Sequence, residues 1–274
     1  MEFIYKILWL LQFRFLQPFY FTFHKIFLAL MNYWVGGEQN GEAWFLKLLH
    51  TYFQRHSIQP VIFDVWANVW QYVHELSKHL SWTEKKIYCF EPMKKTFEIL
   101  HNNISDLTHE NIVTTNIWLW SEEKDITLFF NAHDGADSCA SVHEDNITSF
   151  VSKDTDKEII SIITIDTFCK KHQIKHIDFL KIDIEWNERD CLQWAKEMLS
   201  VWAIDIIQFE HNRCAIASKT FLKDYWDIFS QQYDFYRQLS WNHGLYHIKT
   251  YDIYLENFTY INYILIKKNI PFFS

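Results

Sequence analysis

From residue 61 onward, short apolar runs alternate with segments whose apolar residues recur every three or four positions. A short apolar run bounded by turn residues is typical of a buried strand, and the longer spacing predicts an amphipathic helix. The predicted strands span residues 61–65, 86–90, 112–116, 126–130, 159–165, 179–184 and 204–210. The predicted helices span residues 42–56, 69–80, 92–102, 188–199 and 218–230, and Asp166 is expected to cap a short additional helix. Two further runs, 233–239 and 260–267, predict a closing antiparallel pair. The alternation predicts an α/β fold with a mostly parallel central sheet and helices on both faces.

Two stretches depart from this pattern. Residues 1–35 are aromatic and aliphatic, Pro18 divides them, and no uncharged run reaches the roughly 18 residues that a membrane-spanning helix needs. We therefore expect an N-terminal segment, 1–41, of amphipathic helices that lies either on the main domain, 42–274, or on a membrane surface. Residues 131–158 are polar and irregular, which predicts a long functional loop.

Composition narrows the class of protein. Hydrophobic residues make up 49% and charged residues 22% of the 274 positions, as expected for a chain with a packed core. The formal net charge of -8 argues against a general nucleic-acid binder, because phosphate contacts need a basic surface. The five cysteines fit no zinc site, and without a secretory pattern they indicate reduced thiols in a cytoplasmic protein.

Glycine is scarce and tryptophan abundant. At an ordinary usage of about 7%, a chain of this length would hold roughly 19 glycines. It holds 5 glycines and 13 tryptophans, and the two together come close to an ordinary glycine content. This suggests that some tryptophans stand where glycines belong.

The segment VIFDVWANVWQY, residues 61–72, follows a predicted strand and opens a helix. With glycine in place of Trp66 and Trp70 it becomes a βα turn of the kind that binds nucleotide cofactors. Glycine permits positive φ and a close approach of the backbone to a ligand, and a helix N-terminus presents free N–H groups. Tryptophan does neither, because its Cβ disfavours positive φ and its indole fills the ligand space. The polar positions of the turn, Asp64 and Asn68, are intact.

Two more polar residues follow at predicted strand ends. Glu91 ends the second strand, about 20 residues after the turn, where an acidic side chain can accept hydrogen bonds from both ribose hydroxyls. The alternative is a surface carboxylate beside a helix start. Asn116 ends the third strand and opens the weaker block NIWLWSE.

A second block, residues 164–195, reads TIDTFCKKHQIKHIDFLKIDIEWNERDCLQWA. Asp183 and Glu185 lie at the carboxyl end of a predicted strand, where open α/β sheets bind ligands, and strand alternation points them to the same side. Glu188 opens the following helix, where a carboxylate is favourable. Three such carboxylates could orient a sugar hydroxyl, hold a divalent cation or act as a general base. The alternative is a helix cap with surface charge.

With their tryptophans read as glycine, the turn at 61–72 and the block at 164–195 resemble the motifs of the FkbM family of S-adenosylmethionine (SAM)-dependent methyltransferases. Weaker similarities are found at residues 116–122, 135–138 and 262–266. The resemblance covers about residues 42–267. It implies a Rossmann-like class I methyltransferase fold, SAM as the cofactor, and O-methylation of a hydroxyl on a sugar or other small metabolite.

The resemblance also implies roles for individual residues. Those expected to hold SAM are Asp64, Trp66, Asn68, Trp70, Glu91 and Asn116. Those expected to face the acceptor are Asp183, Glu185 and His211, of which His211 follows a strand end and could act as a base near neutral pH. No metal-ligand set is predicted, and a divalent cation has no support beyond the carboxylates.

Several tryptophans occupy family glycine positions: Trp66, Trp70, Trp118, Trp120, Trp186 and Trp194, with Trp34, Trp82, Trp202 and Trp241 as further candidates. Independent mutations would not choose one replacement in every motif. We hypothesise that UGA codons meaning glycine were translated as tryptophan. UGG codons at these positions would contradict the hypothesis. If the tryptophans are real, indoles should crowd the cofactor cleft.

Two other classes of function stay open. A nicotinamide-dependent oxidoreductase also combines a glycine-rich turn with an acidic residue, although the spacing of the turn and the KIDIE block favour a methyltransferase. A non-catalytic interaction domain on a methyltransferase scaffold is the second alternative, and the intact polar residues argue against it.

Overall fold

A computed structural model describes residues 17–30, 40–80, 84–105, 111–133, 140–184, 188–193, 195–240 and 243–274. Within them, twelve strands form a large sheet and a small one. The strands are β1 (Val61–Val65), β2 (Lys86–Phe90), β3 (Ile112–Thr115), β4 (Trp118–Leu119), β5 (Lys124–Asn131), β6 (Ala140–Ser141), β7 (Thr155–Ile163), β8 (Ile177–Ile182), β9 (Ile204–His211), β10 (Tyr233–Gln238), β11 (Leu245–Ile248) and β12 (Ile261–Lys267).

The helices are α1 (Gln17–Leu30), α2 (Glu42–Arg55), α3 (Gln71–His79), α4 (Lys94–Ser105), α5 (Glu144–Phe150), α6 (Ile165–Lys171), α7 (Glu188–Gln193), α8 (Lys196–Ser200), α9 (Cys214–Ala217) and α10 (Leu222–Phe229). A short 3-10 helix spans Ile253–Leu255. No helix in the described part of the chain is long and apolar enough to cross a membrane.

The large sheet has eight strands in the order β11-β10-β12-β9-β8-β1-β2-β3. The strands from β9 to β3 are parallel, and β12 runs antiparallel to both of its neighbours, β9 and β10. The predicted α/β fold with a mostly parallel sheet and a closing antiparallel pair is therefore confirmed. The edge strand β11 was not predicted.

Each face of the sheet carries its own apolar core, because strand side chains alternate between the two faces. On one face, α2, α3 and α4 cover residues such as Ile62, Phe179 and Ile264. On the other face, α6, α7, α8 and α10 pack with the small sheet over residues such as Phe63 and Leu180. Helices on both faces leave the carboxyl ends of the parallel strands as the edge where polar side chains gather.

The small sheet, in the order β4-β7-β5-β6, replaces part of the predicted loop. The prediction that residues 131–158 are irregular is wrong for much of this stretch, which contains β6, α5 and the first residues of β7. β6 is buried but only two residues long, and α5 and the start of β7 are largely polar, so none of them shows the apolar periodicity that marks a longer buried element. Residues 134–139 lie outside the described part of the chain.

Three helix predictions also need correction. Residues 188–199 form two short helices, α7 and α8, and residues 218–230 begin with a turn before α10. Thr164, rather than Asp166, caps α6 by accepting a hydrogen bond from the backbone N–H of Thr167. The Asp166 carboxylate instead accepts the N–H groups of Glu197 and Met198 at the start of α8.

Candidate cofactor and acceptor site

The turn between β1 and α3 has the backbone of a glycine-containing turn. Three of its residues have positive φ: Trp66 at 73°, Asn68 at 51° and Trp70 at 135°. Asparagine tolerates the left-handed region, whereas a tryptophan there is strained. The backbone N–H groups of Trp66 and Ala67 both donate to the Phe90 carbonyl, which holds the turn against the end of β2.

Glu91 fastens this turn from the end of β2. Its carboxylate accepts the backbone N–H of Asn68 on Oε2 at 3.0 Å and that of Met93 on Oε1 at 3.0 Å. The side chain is buried, and burial raises the pKa of Glu91 to about 8 despite these two hydrogen bonds. Glu91 is therefore a buried carboxyl at a cofactor-type turn and not the surface carboxylate of the alternative reading.

Asn116 stabilises the segment that follows β2. Its side-chain amide donates to the carbonyls of Glu91 and Pro92, at 2.9 and 2.8 Å. Asn116 thus shapes the segment after β2, and its predicted contact with a cofactor stays a prediction.

Asp64 lies fully buried on β1, and neither of its carboxylate oxygens has a hydrogen-bond partner among the described residues. The nearest cation is the Lys181 ammonium, whose Nζ lies 3.9 Å from Oδ1. Burial raises the pKa of Asp64 to about 6, and Lys181 opposes that rise. A buried carboxyl without hydrogen bonds is costly for the fold, which fits a group reserved for a polar ligand.

Lys181 is the centre of a buried polar cluster that the sequence analysis did not predict. Its Nζ donates to Asp183 Oδ2 at 2.9 Å and lies 4.5 Å from the centroid of the Tyr72 ring. Burial alone would lower the pKa of Lys181, but Asp183, Asp64 and the nearby Glu42 outweigh burial and raise it. Lys181 is therefore charged and holds the carboxylates together.

The strand register explains why these groups meet. Asp64 pairs with Lys181 across β1 and β8, and Lys181 pairs with Gln208 across β8 and β9, so all three point to one face. Glu42, at the start of α2, accepts the Gln208 amide at 3.1 Å, and burial raises the pKa of Glu42. The Tyr72 hydroxyl donates to the Gln208 amide oxygen at 3.0 Å. Five elements, β1, β8, β9, α2 and α3, thus build one polar surface beside the cofactor-type turn.

The predicted acceptor-side residues are not all found together. The Asp183 side chain is 31% exposed and lies beside Lys181, where a substrate could reach it. Glu185 lies outside the described residues. His211 belongs to the opposite face, since Ile182 pairs with Phe209 and the next residues alternate. Glu188 is buried and accepts the backbone N–H of Ile184, which gives it a structural partner.

His211 has the surroundings of a buried, neutral histidine. Its ring packs against Phe258, Tyr225 and Tyr263, and its Nε2 has no hydrogen-bond partner within the described chain. Burial lowers the pKa of His211 to about 4. The structure does not bring His211 to Asp183, and its catalytic role stays a prediction.

Three indoles occupy the space beside the turn. The Trp66 and Trp118 rings meet edge to face with centroids 5.4 Å apart, and Trp120 stacks on Trp118 at 5.1 Å. Each ring has an Nε1 that is buried without a hydrogen-bond partner in the described residues. The expected crowding by indoles is confirmed for these positions. The polar frame fits a nucleotide cofactor, but the indoles do not fit one.

The tryptophans at family glycine positions differ in their backbone conformation. Trp202, in the turn before β9, also has positive φ, at 58°. Trp118 and Trp120 have no positive φ, so only their side-chain volume conflicts with a ligand. Trp34, Trp82, Trp186, Trp194 and Trp241 lie outside the described part of the chain.

A separate cluster lies at the opposite, amino-terminal ends of the strands. Ligand atoms of His176, Asp178 and Asp205 lie within 4.8 Å of one another. His176 Nε2 contacts Asp205 Oδ2 at 2.9 Å, and Lys267 Nζ donates to the other oxygen of Asp205 at 2.9 Å. The Asp205 carboxylate therefore already has two basic partners, and the cluster lies far from the cofactor-type turn.

The fold and the site together define the Rossmann-like methyltransferase class. The features that define it are a parallel sheet with an inserted antiparallel strand, a strained turn after the first strand and an acidic residue after the second. The chain belongs to the FkbM methyltransferase family, because residues 56–244 match the Methyltransferase FkbM domain. The predicted family resemblance is therefore confirmed. No curated protein sequence matches the chain.

Several solved methyltransferase structures are similar to this chain, all at low identity. The FkbM methyltransferase of Methylobacillus flagellatus KT is 14% identical with a TM-score of 0.46, and the match covers 78% of this chain and 46% of that protein. An rRNA methylase of Streptococcus thermophilus is 12% identical with a TM-score of 0.41, over 85% of this chain and 99% of that one. The plantazolicin methyltransferase, determined with SAH, is 10% identical with a TM-score of 0.42, over 82% of each chain. The chain thus spans about half the length of the first of these proteins.

Proposed function

We propose that this protein, with glycine at the motif positions written here as tryptophan, is a SAM-dependent methyltransferase that methylates a hydroxyl on a sugar or other small metabolite. The observation that carries the proposal is the buried Glu91 carboxyl, which fastens a positive-φ turn after β1 through the N–H of Asn68. Glu91 would accept hydrogen bonds from the ribose hydroxyls of the cofactor, while Asp64 would face its charged end. SAM would supply an activated methyl group.

The acceptor side of the proposal rests on Asp183. Methylation of a hydroxyl releases a proton, and a carboxylate within hydrogen-bond reach of that hydroxyl can take it. Asp183 is the partly exposed carboxylate of the cluster, and the Lys181 ammonium holds it in place at 2.9 Å. Glu42, from α2, would offer a second carboxylate to neighbouring hydroxyls. We keep Glu185 and His211 as further candidates on the family pattern.

The acidic chain supports a small acceptor and not a nucleic acid, since its net charge is -8. Three buried cysteines, Cys89, Cys169 and Cys191, form no disulfide within the described residues, which supports a reducing, cytoplasmic compartment.

The test compares cofactor binding by two forms of the chain. One is the chain as written, and the other carries Trp66→Gly, Trp70→Gly, Trp118→Gly and Trp120→Gly. Each is titrated calorimetrically with SAM and with NAD after circular dichroism shows that it is folded. We expect micromolar SAM binding by the glycine form alone, because only that form has space beside Glu91. Trp202→Gly is the matched control, since it relaxes a positive φ away from the site and should leave SAM binding unchanged.

The other outcomes separate the alternatives. Binding of NAD in place of SAM would indicate an oxidoreductase. A folded glycine form that binds neither cofactor would indicate a non-catalytic interaction domain. Micromolar SAM binding by the chain as written would show that the indoles do not block the cleft.

A further inference from the structure

Helix α1, Gln17–Leu30, exposes large apolar side chains to solvent. Phe19 is 60% exposed, Phe23 67%, Ile26 50% and Phe27 56%. Residues 22–27 are exposed without exception, which is more than a full helical turn. A helix that packs on a protein surface buries a residue every three or four positions. Tyr20 is half-buried with a buried hydroxyl, so the apolar surface that α1 exposes consists of Phe19, Phe23, Ile26 and Phe27.

The charge of this region differs from that of the rest of the chain. No aspartate or glutamate occurs between Glu2 and Glu38, although the chain has 34 acidic residues in all. The same stretch contains Lys6, Arg14 and Lys25. The basic residues of this segment are complementary to a negatively charged surface, and its aromatic residues are complementary to an apolar layer below that surface.

We propose that α1 lies flat on an anionic lipid bilayer. Its phenylalanine rings would enter the boundary between head groups and acyl chains, and Lys25 would stay among the head groups. The described helix is about 21 Å long at 1.5 Å per residue, shorter than a hydrocarbon core of about 30 Å. An in-plane orientation is therefore the one that buries its apolar side chains.

This proposal is independent of the proposed function, because it uses no residue of the cofactor or acceptor site. The full chain is mixed with large vesicles of phosphatidylcholine alone or with one quarter phosphatidylglycerol, and binding is measured by co-sedimentation. We expect binding to the anionic vesicles to exceed that to the neutral vesicles at least tenfold and to weaken in high salt.

Paired variants test the helix itself. Phe23→Glu with Phe27→Glu should weaken vesicle binding at least tenfold, since each change replaces an inserted ring by a carboxylate repelled from the surface. Ile253→Glu with Tyr254→Glu is the matched control, because these side chains are 72% and 87% exposed on the short 3-10 helix. The control pair should bind vesicles like the unchanged chain, and circular dichroism should show all forms folded.

Three results would overturn the proposal. The first is equal binding to both kinds of vesicle or to neither. The second is a dimer in light scattering without lipid that the Phe23/Phe27 variant abolishes, which would identify a second copy as the partner. The third is slow hydrogen exchange of α1 in the lipid-free monomer, which would show that the helix packs on the domain.

Discussion

Trp70 allows a direct test of whether this backbone requires glycine. The residue stands at the start of α3 with φ 135° and ψ -9°, and its ring lies 4.5 Å from that of His74. A residue with a Cβ in such a sparsely populated region costs about 1–3 kcal/mol. Glycine avoids this cost but loses about 0.5–1 kcal/mol through the greater freedom of its unfolded chain.

The comparison that isolates the backbone is Trp70→Gly against Trp70→Ala. Both variants lose the same indole contacts, so their difference contains only the Cβ and the unfolded-chain entropy. We expect the glycine variant to be more stable than the alanine variant by about 1 kcal/mol. Urea-induced unfolding followed by circular dichroism at one pH measures this difference in the free energy of unfolding.

Trp226, inside helix α10, is the matched control. At an ordinary helical position alanine should be more stable than glycine by about 1 kcal/mol. The sign of the Gly–Ala difference should therefore reverse between the two positions. If alanine is as stable as glycine at position 70, the turn does not require glycine and the reasoning fails.

Three further predictions concern the buried charges. Lys181→Met should destabilise the fold by about 3–5 kcal/mol at pH 7.5, because it leaves the buried carboxylates around it without a cation. Lys78→Met, at an exposed ion pair, should cost less than about 1 kcal/mol. Equal losses of the free energy of unfolding in urea would contradict the role of Lys181 in the cluster. Glu91 has a folded-state pKa of about 8, above the ordinary 4.5, so it favours the folded state when protonated and stability should fall as pH rises from 4.5 to 8. Glu91→Gln should reduce that slope, measured by melting temperature across pH, and Glu98→Gln on the exposed face of α4 should not. His211 has a folded-state pKa of about 4, below the ordinary 6.5, so stability should be lost as pH falls from 6.5 to 4. His211→Phe should remove part of this loss. An unchanged dependence of stability on acid pH would show that His211 is not buried as a neutral ring.

Apolar periodicity predicted the buried part of the fold and missed the rest for a physical reason. Strands β1, β2, β8 and β9 are buried on both faces, so their runs stand out in the sequence. Helix α5 has a polar sequence, EDNITSF, and no apolar stripe, so periodicity could not find it. The order of the strands and the existence of a second sheet depend on long-range pairing that no local pattern contains.

Site residues that belong to one local sequence motif could be predicted from the sequence, whereas residues that only folding brings together could not. Asp64, Asn68 and Glu91 sit at strand ends and in one turn, and the motif spacing identified them. Lys181 could have been found too, since strand alternation places it on the same side as Asp183. Glu42 could not, because it joins Gln208 across 166 residues of sequence through a hydrogen bond that only the folded chain makes.

The position of β12 determines when the large sheet can be completed. It lies between β9 and β10, hydrogen-bonded along both edges, although it follows both of them in the chain. During synthesis β9 therefore emerges with one edge unpaired, and that edge waits for residues 261–267 to be translated. An open edge of apolar strand residues is a template for pairing with other chains. The time between translation of β9 and of β12, together with chaperone access during that time, should thus limit the yield of correctly folded protein.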